Sequence, residues 1–198
     1  MKRVVLVMLL AFEIFTIGNV YSKSVTDEIS QELLRMHILA NSNNELDQNV
    51  KIEIRDFVLD YVDKKDLKTK KDVINNVCDI ESEINSYLFE NKIGYRARVT
   101  IGYSPFLTKE YNDIAIPKGV YNSLKIILGK GEGENWWCVA YPPLCFTEAV
   151  SGKISDEGEY ELKNTLNSET YNLMKRDKVE YKIKFKSVEI FNSILKNH

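Results

Sequence analysis

The apolar positions of this chain change period several times, and each change marks an expected element. Val4 to Phe12 is an unbroken apolar run, extended after Glu13 by Ile14 to Ile17 and closed by Gly18-Asn19. Leu33 to Ala40 is a shorter run that leads into Asn41-Ser42-Asn43-Asn44. Asn and Ser side chains hydrogen-bond nearby backbone and favour turns, so the run before them is expected as a strand. Leu46, Val50, Ile54, Phe57, Val58 and Tyr61 then recur at three- and four-residue spacing, which predicts an amphipathic helix over 45–63. Asn44 is placed to cap it, and Glu45 and Asp47 suit its N-terminal dipole. Val73, Ile74, Val77, Ile80, Ile84 and Leu88 predict a second helix over 72–91, ended by Gly94.

Beyond Gly94 the period falls to two. Tyr95, Ala97, Val99, Ile101 and Tyr103 alternate with polar residues or glycine, the pattern of a half-buried strand that Pro105 is expected to interrupt. Phe106 to Tyr111 is a short strand candidate, and Pro117-Lys118-Gly119 reads as a turn. Val120 to Leu128 alternates again, and Trp136 to Tyr141 continues the sheet after the loop Gly129-Lys130-Gly131-Glu132-Gly133-Glu134. Residues 147–175 are polar, with short helical stretches. A late strand is expected over 179–185 and a terminal helix over 188–195. Helices before a run of strands predict an α+β fold: N-terminal helices packed on one face of a mostly antiparallel sheet, with a C-terminal strand-helix extension. The expected boundaries are 1–22 for a signal peptide, 23–147 for a core domain and 148–198 for an extension packing on that core.

The N-terminus changes the picture most. Met1-Lys2-Arg3 is a basic start, the apolar run follows, and Val20-Tyr21-Ser22 offers compact residues before a cut. That is the layout of a secretory signal peptide, and the run is short of the ~20 residues of a membrane span. Charge adds little: 28% of the residues are charged and the formal net charge is −2, with no basic face for nucleic acid. The expectation is an exported chain that is soluble or peripheral once the leader is removed, with an uncleaved anchor as the alternative.

Three cysteines are an odd count. Cys78 lies in a helical pattern and reads as a small buried side chain. Cys138 and Cys145 are the candidate disulfide. Seven extended steps would part them by roughly 23 Å, whereas a bridge needs α-carbons about 5.5–6 Å apart. Bridging therefore requires the chain to double back at Pro142-Pro143. Two reduced thiols on a buried strand and turn remain the alternative.

Candidate chemistry is sparse. His37 is the one internal histidine, since His198 ends the sequence. The cysteine spacing does not suit a zinc site, and neither metal nor cofactor is expected. The triple-glycine loop lacks a Lys-Ser/Thr ending, and Glu132 and Glu134 would repel phosphate. An enzyme reading uses Cys138 as nucleophile, His37 as base and Asn135 or Asn41 as orienter, as in a secreted cell-wall hydrolase. It requires His37 and Cys138 within hydrogen-bond reach. Adjacent strand residues face opposite ways, so one of Trp136 and Trp137 is expected in the core and the other as an anchor on a partner. Coplanar exposed aromatics would instead suit a cell-wall-binding module.

Two long segments carry a resemblance. Arg35-x-His37-x-x-Ala40-Asn41-Ser42, followed by Glu45-x-Asp47-Gln48-x-x-Lys51 and Arg55-Asp56, resembles the N-terminal motif of the stage II sporulation protein R family. Gly129-x-Gly131-x-Gly133-x-Asn135-Trp136-Trp137-Cys138-Val139-x-x-Pro142-Pro143-Leu144-Cys145-Phe146 resembles its second motif. The resemblance implies a non-enzymatic signalling protein of endospore formation. It would be secreted from the forespore into the space between forespore and mother-cell membranes. There it would activate a membrane-embedded aspartic protease that processes pro-sigma-E. The resemblance gives no list of contact residues; from the motif positions themselves, Arg35, His37, Asn41, Asn135, Trp136 and Trp137 are expected to form one partner-binding patch, apolar at its centre and polar at its rim.

Overall fold

The computed structural model describes residues 2–111, 113–142, 144 and 154–175. Helix α1 (Lys2–Glu32) leads into strand β1 (Leu34–Leu39), and helices α2 (Glu45–Lys64), α3 (Lys70–Asn75) and α4 (Val77–Glu90) follow. Strand β2 (Ala97–Phe106), the short strands β3 (Lys109–Tyr111) and β4 (Ile114–Ile116), and strands β5 (Gly119–Leu128) and β6 (Asn135–Tyr141) come next. Helices α5 (Asp156–Thr165) and α6 (Ser168–Met174) complete the described elements.

The fold is α+β. Its main sheet has the order β2-β5-β1-β6. β2 and β6 run antiparallel to their neighbours, whereas β1 and β5 at the centre pair in parallel. A parallel pair needs a long crossover, and the helices after β1 supply one. β3 and β4 form a separate antiparallel ribbon.

Strand alternation sorts the core into two layers. Leu34, Met36 and Ile38 of β1, with Leu124, Ile126 and Leu128 of β5, meet Val50, Ile54 and Val58 of α2 and Ile80, Ile84 and Leu88 of α4. Each such side chain contributes about 1.5–3 kcal/mol when fully buried. The opposite face is also covered over part of its length. There Tyr121 and Val139 pack with Ile29 and Leu33 at the end of α1, Tyr111 of β3, and Leu162, Tyr171 and Met174 of α5 and α6. α2 and α4 pack on one face as expected, and the end of α1 with α5 and α6 adds a layer on the other. α5 and α6 fall in the segment expected as an extension packing on the core, and they supply part of this second layer.

Local differences have local causes. Asn44 caps α2 as expected, its side chain accepting from the Asp47 backbone N–H. The expected helix over 72–91 is divided at Asn76, whose side-chain amide bonds back to Asp72 O at 2.9 Å. The left-handed residue after α4 is Lys92, φ 57°, and not Gly94. β2 runs through Pro105, which is tolerated because β2 is an edge strand. The expected strand over 179–185 and helix over 188–195 lie outside the described residues.

α1 is continuous through the expected cut near Ser22. Met8, Phe12, Phe15 and Val20 are exposed, whereas Ile29 is buried in the second core layer. The last part of α1 is docked: the Glu28 carboxylate accepts from Asn167 N at 3.0 Å and Thr170 Oγ1 at 2.8 Å. No described helix is long and apolar enough to cross a membrane.

Candidate functional site

The two motif segments meet where β1 pairs with β6. His37 lies opposite Trp137, Ile38 opposite Trp136 and Leu39 opposite Asn135. Past the strand ends the two loops lock together. Gly133 N donates to Ala40 O at 2.9 Å, and Lys130 N to Asn41 Oδ1 at 3.0 Å. Glu134 N donates to Asn43 Oδ1 at 2.7 Å. The glycines are required by this contact. A Cβ on Gly133 would overlap the carbonyl of Ser42, and one on Gly129, at φ +55°, would overlap the Asn41 side chain.

Asp47 is the hub beneath the loops. It is 2% exposed. Its Oδ2 accepts from Asn41 Nδ2 at 2.9 Å, Ser42 Oγ at 2.6 Å and Asn44 Nδ2 at 3.0 Å. Its Oδ1 accepts from the Tyr95 hydroxyl at 2.9 Å. Burial opposes the charge, but the hydrogen bonds from Ser42, Asn41, Tyr95 and Asn44 outweigh it and hold the carboxyl below its usual range. Nearby, Lys51 Nζ donates to Gln48 Oε1 at 2.6 Å and to Glu134 O at 3.1 Å. The sequence marked Asp47 as a dipole-favouring helix residue and as a motif position, without a role at the loops. Its loop partners are named in the motif, but their convergence needs the fold.

The expected patch is divided by the sheet. Trp136 faces the helices, half-buried, with the Arg55 guanidinium 5.3 Å from its ring centre. Trp137 faces the other way, half-buried, with its ring 5.7 Å from His37. His37 Nε2 lies 2.6 Å from Asn135 Oδ1 and donates to it, because an amide oxygen only accepts. Burial lowers the His37 pKa, the Asn135 hydrogen bond opposes that, and the charge of Lys125 adds to it. Asn41 is committed to the loop lock. Arg35, expected at the surface, is 1% exposed. It is buried because it lies on a central strand, on the face that α1 and the β3-β4 ribbon cover.

Three of the expected residues therefore share one accessible surface: His37, Asn135 and Trp137. The strand register adds residues that the motifs did not indicate. Thr100, Lys125, His37 and Trp137 form one row across the sheet, and Arg98, Ile127, Leu39 and Asn135 form the next. In these rows Arg98, Thr100 and Asn135 are exposed and the other five are half-buried. This end of the face is an apolar strip of Trp137, Leu39 and Ile127 among polar and basic groups. Lys125 and Arg98 were missed because pairing partners from distant strands leave no mark in local periodicity.

The geometry does not assemble the cysteine chemistry. Cys138 pairs with Met36 and points into the helix-side core, whereas His37 points out of the opposite face. The two side chains are separated by the sheet. Cys138 is also disulfide-bonded and carries no titratable thiol. Cys145 lies outside the described residues, and Cys78 is free and exposed. The opposed indoles likewise give no coplanar platform. No group of three or more His, Cys, Asp or Glu side chains among the described residues is arranged to hold a metal. A groove of about 560 Å³ beside Asn85, Phe89 and Tyr95 lies against α4, away from the motif face.

Fold and site together define an α+β module whose two signature segments are fastened into one corner and present a strip of sheet beside it. The family model for stage II sporulation protein R matches residues 30–151, a stretch that contains both segments. The chain belongs to the stage II sporulation protein R family, which places it among sporulation proteins and names no enzyme class. It is 34% identical over 142 residues to stage II sporulation protein R of Bacillus subtilis (strain 168). That alignment covers 66% of this chain and 61% of the relative's length. No solved structure matches it significantly.

Proposed function

We propose that this chain is the secreted intercompartmental signal of endospore formation and activates a membrane-embedded aspartic protease that processes pro-sigma-E. It acts as a ligand in the space between the forespore and mother-cell membranes and makes or breaks no bonds itself. Family membership supports the sporulation setting. The observation that carries the ligand reading is the strip of Trp137, Leu39 and Ile127 bordered by Asn135, His37, Lys125 and Arg98. An apolar centre with a polar rim is the surface that protein partners use, and Trp and Arg are enriched among the residues that dominate such contacts. Docking favours the active arrangement of the protease only by differential affinity for its two states.

The original patch is revised accordingly. Trp137, His37 and Asn135 remain contact residues. Arg35 and Asn41 support the surface from below, and Trp136 packs the helix side. The bridge from Cys138 to Cys145 is part of the proposal and would tie the end of β6 to the chain beyond Pro143.

Expression of the exported chain with the protease and its sigma precursor, scoring precursor cleavage, tests the reading. W137A is expected to reduce cleavage at least tenfold while the purified variant keeps a cooperative unfolding transition. Full cleavage with W137A and K125E combined would remove this face from the mechanism.

A further inference from the structure

Arg35 poses a problem that the receptor reading does not solve. Its guanidinium is fully buried, yet no carboxylate among the described residues pairs with it. Nε donates to Cys138 O at 3.1 Å. The Phe106 ring centre lies 4.4 Å from the guanidinium carbon and that of Tyr121 5.2 Å away. Nη1 has no hydrogen-bond partner. Arginine keeps its proton in a protein, so this is a buried positive charge held by aromatic faces and one carbonyl.

Three further buried polar atoms in this layer lack a hydrogen-bond partner among the described residues: Tyr111 Oη of the covering ribbon, and two on the sheet itself. Ser123 is the direct cross-strand neighbour of Arg35, is 0% exposed, and its Oγ bonds nothing. Trp137 sits one row away, beside His37, and its Nε1–H bonds nothing. Buried polar groups are nearly always satisfied by protein or by ordered water, so a group of unsatisfied atoms around a charge calls for a partner: a buried water, an ion or a ligand. Arg35 Nη1 and Trp137 Nε1 are pure donors, and the Ser123 and Tyr111 hydroxyls can donate. Their complement carries acceptors and negative charge.

We propose that Arg35, Ser123 and Trp137 form a binding site for a carboxylate. The site is walled by Phe106 and Tyr121, which suits a small carboxylate or the carboxylate of a polypeptide better than a strongly hydrated phosphate. Access is from the exposed end of the sheet face, where His37 and Trp137 are only half-buried. Phe106 is the side chain between, stacked over Arg35 and edge-on to His37 with ring centres 6.1 Å apart. It is the last residue of edge strand β2. The inference is independent of the receptor reading, and its test contains no protease.

The full chain, labelled with ¹⁵N, is titrated with sodium acetate at constant ionic strength held by sodium chloride, with acetamide as the neutral control. A W136F variant identifies the Trp137 indole N–H. The expected result is a saturable shift of that resonance and a raised thermal midpoint with acetate, and neither with acetamide. R35M is expected to abolish saturation. S123A, which removes a hydroxyl with no partner among the described residues, is expected to fold normally and weaken acetate binding several-fold. Tri-alanine with a free C-terminus and its C-terminal amide form the second arm. Tighter saturation by the free acid than by acetate assigns the site to a polypeptide carboxylate, and equal or weaker saturation assigns it to small free carboxylates. No saturable shift in the wild type, or the same affinity in S123A, overturns the proposal. That last comparison decides even where R35M does not fold.

Discussion

Replacing Asp47 with Asn tests whether the motif residues are joined by one charged hub. The substitution keeps the shape of the side chain and removes its charge. Four hydrogen bonds reach the carboxylate, from Asn41, Ser42, Asn44 and Tyr95. A hydrogen bond to a charged group contributes about 1.5–3 kcal/mol and a neutral one about 0.5–1.5. Losing roughly 1 kcal/mol at each of three bonds, and turning the fourth to face an amide N–H₂, gives a cost of roughly 3 kcal/mol. That is a large share of the ~5–15 kcal/mol expected for a domain. With a urea slope of about 2 kcal/mol/M the unfolding midpoint falls by roughly 1.5 M. A pH series supplies a second reading. The Asp47 pKa is lower folded than unfolded, so the unfolded chain binds its proton first as pH falls. The stabilisation is therefore complete above the ordinary carboxylate pKa of about 4 and is lost as pH drops through the depressed folded value. The gap between wild type and D47N should be widest at neutral pH and close below pH 4. A gap under 1 kcal/mol, or one that stays constant to pH 2, refutes the hub.

The remaining expectations follow from the same corner. Y95F removes one donor and should cost about 1–2 kcal/mol in urea unfolding. Combined with D47N it should cost clearly less than the sum, because both act on one carboxylate; strict additivity would contradict the network. G133A places a methyl against the Ser42 carbonyl and should destabilise by about 1–3 kcal/mol, with an unchanged midpoint as the contrary result. Thiol titration of the denatured, unreduced chain should find one free thiol, Cys78; three would exclude the Cys138–Cys145 bridge.

What the sequence made legible is what local chemistry decides. The Asn-rich turn after Ala40 identified β1 as a strand, three- and four-residue spacing located α2, and alternation located β5. What it hid depends on residues far apart in the chain. Arg35 reads as a surface cation by type, and its burial follows from pairing with Ser123 across 88 positions of sequence. Pro105 reads as a breaker, and it is harmless only because β2 is an edge. α5 and α6 carry only short helical patterns, and their place on the sheet shows when Leu162 and Met174 are seen against Val139.

The motifs themselves are mostly structural, and this changes what a family pattern implies. Of the residues in the first motif, Asn41, Ser42, Asp47, Gln48 and Lys51 spend their polar groups on one another and on the glycine loop. They face inward and fix a corner. The groups that this corner leaves outward, Trp137, His37 and Asn135, lie on the strands it joins. On the receptor reading proposed above, a corner already fixed by folding would let the strip dock without losing further conformational freedom, so the ordering cost would be met during folding and not at the encounter. The test is separable by position. Changes inside the corner should lower stability and activation together, whereas W137A should lower activation alone, and a W137A variant as unstable as D47N would show that the two roles are one.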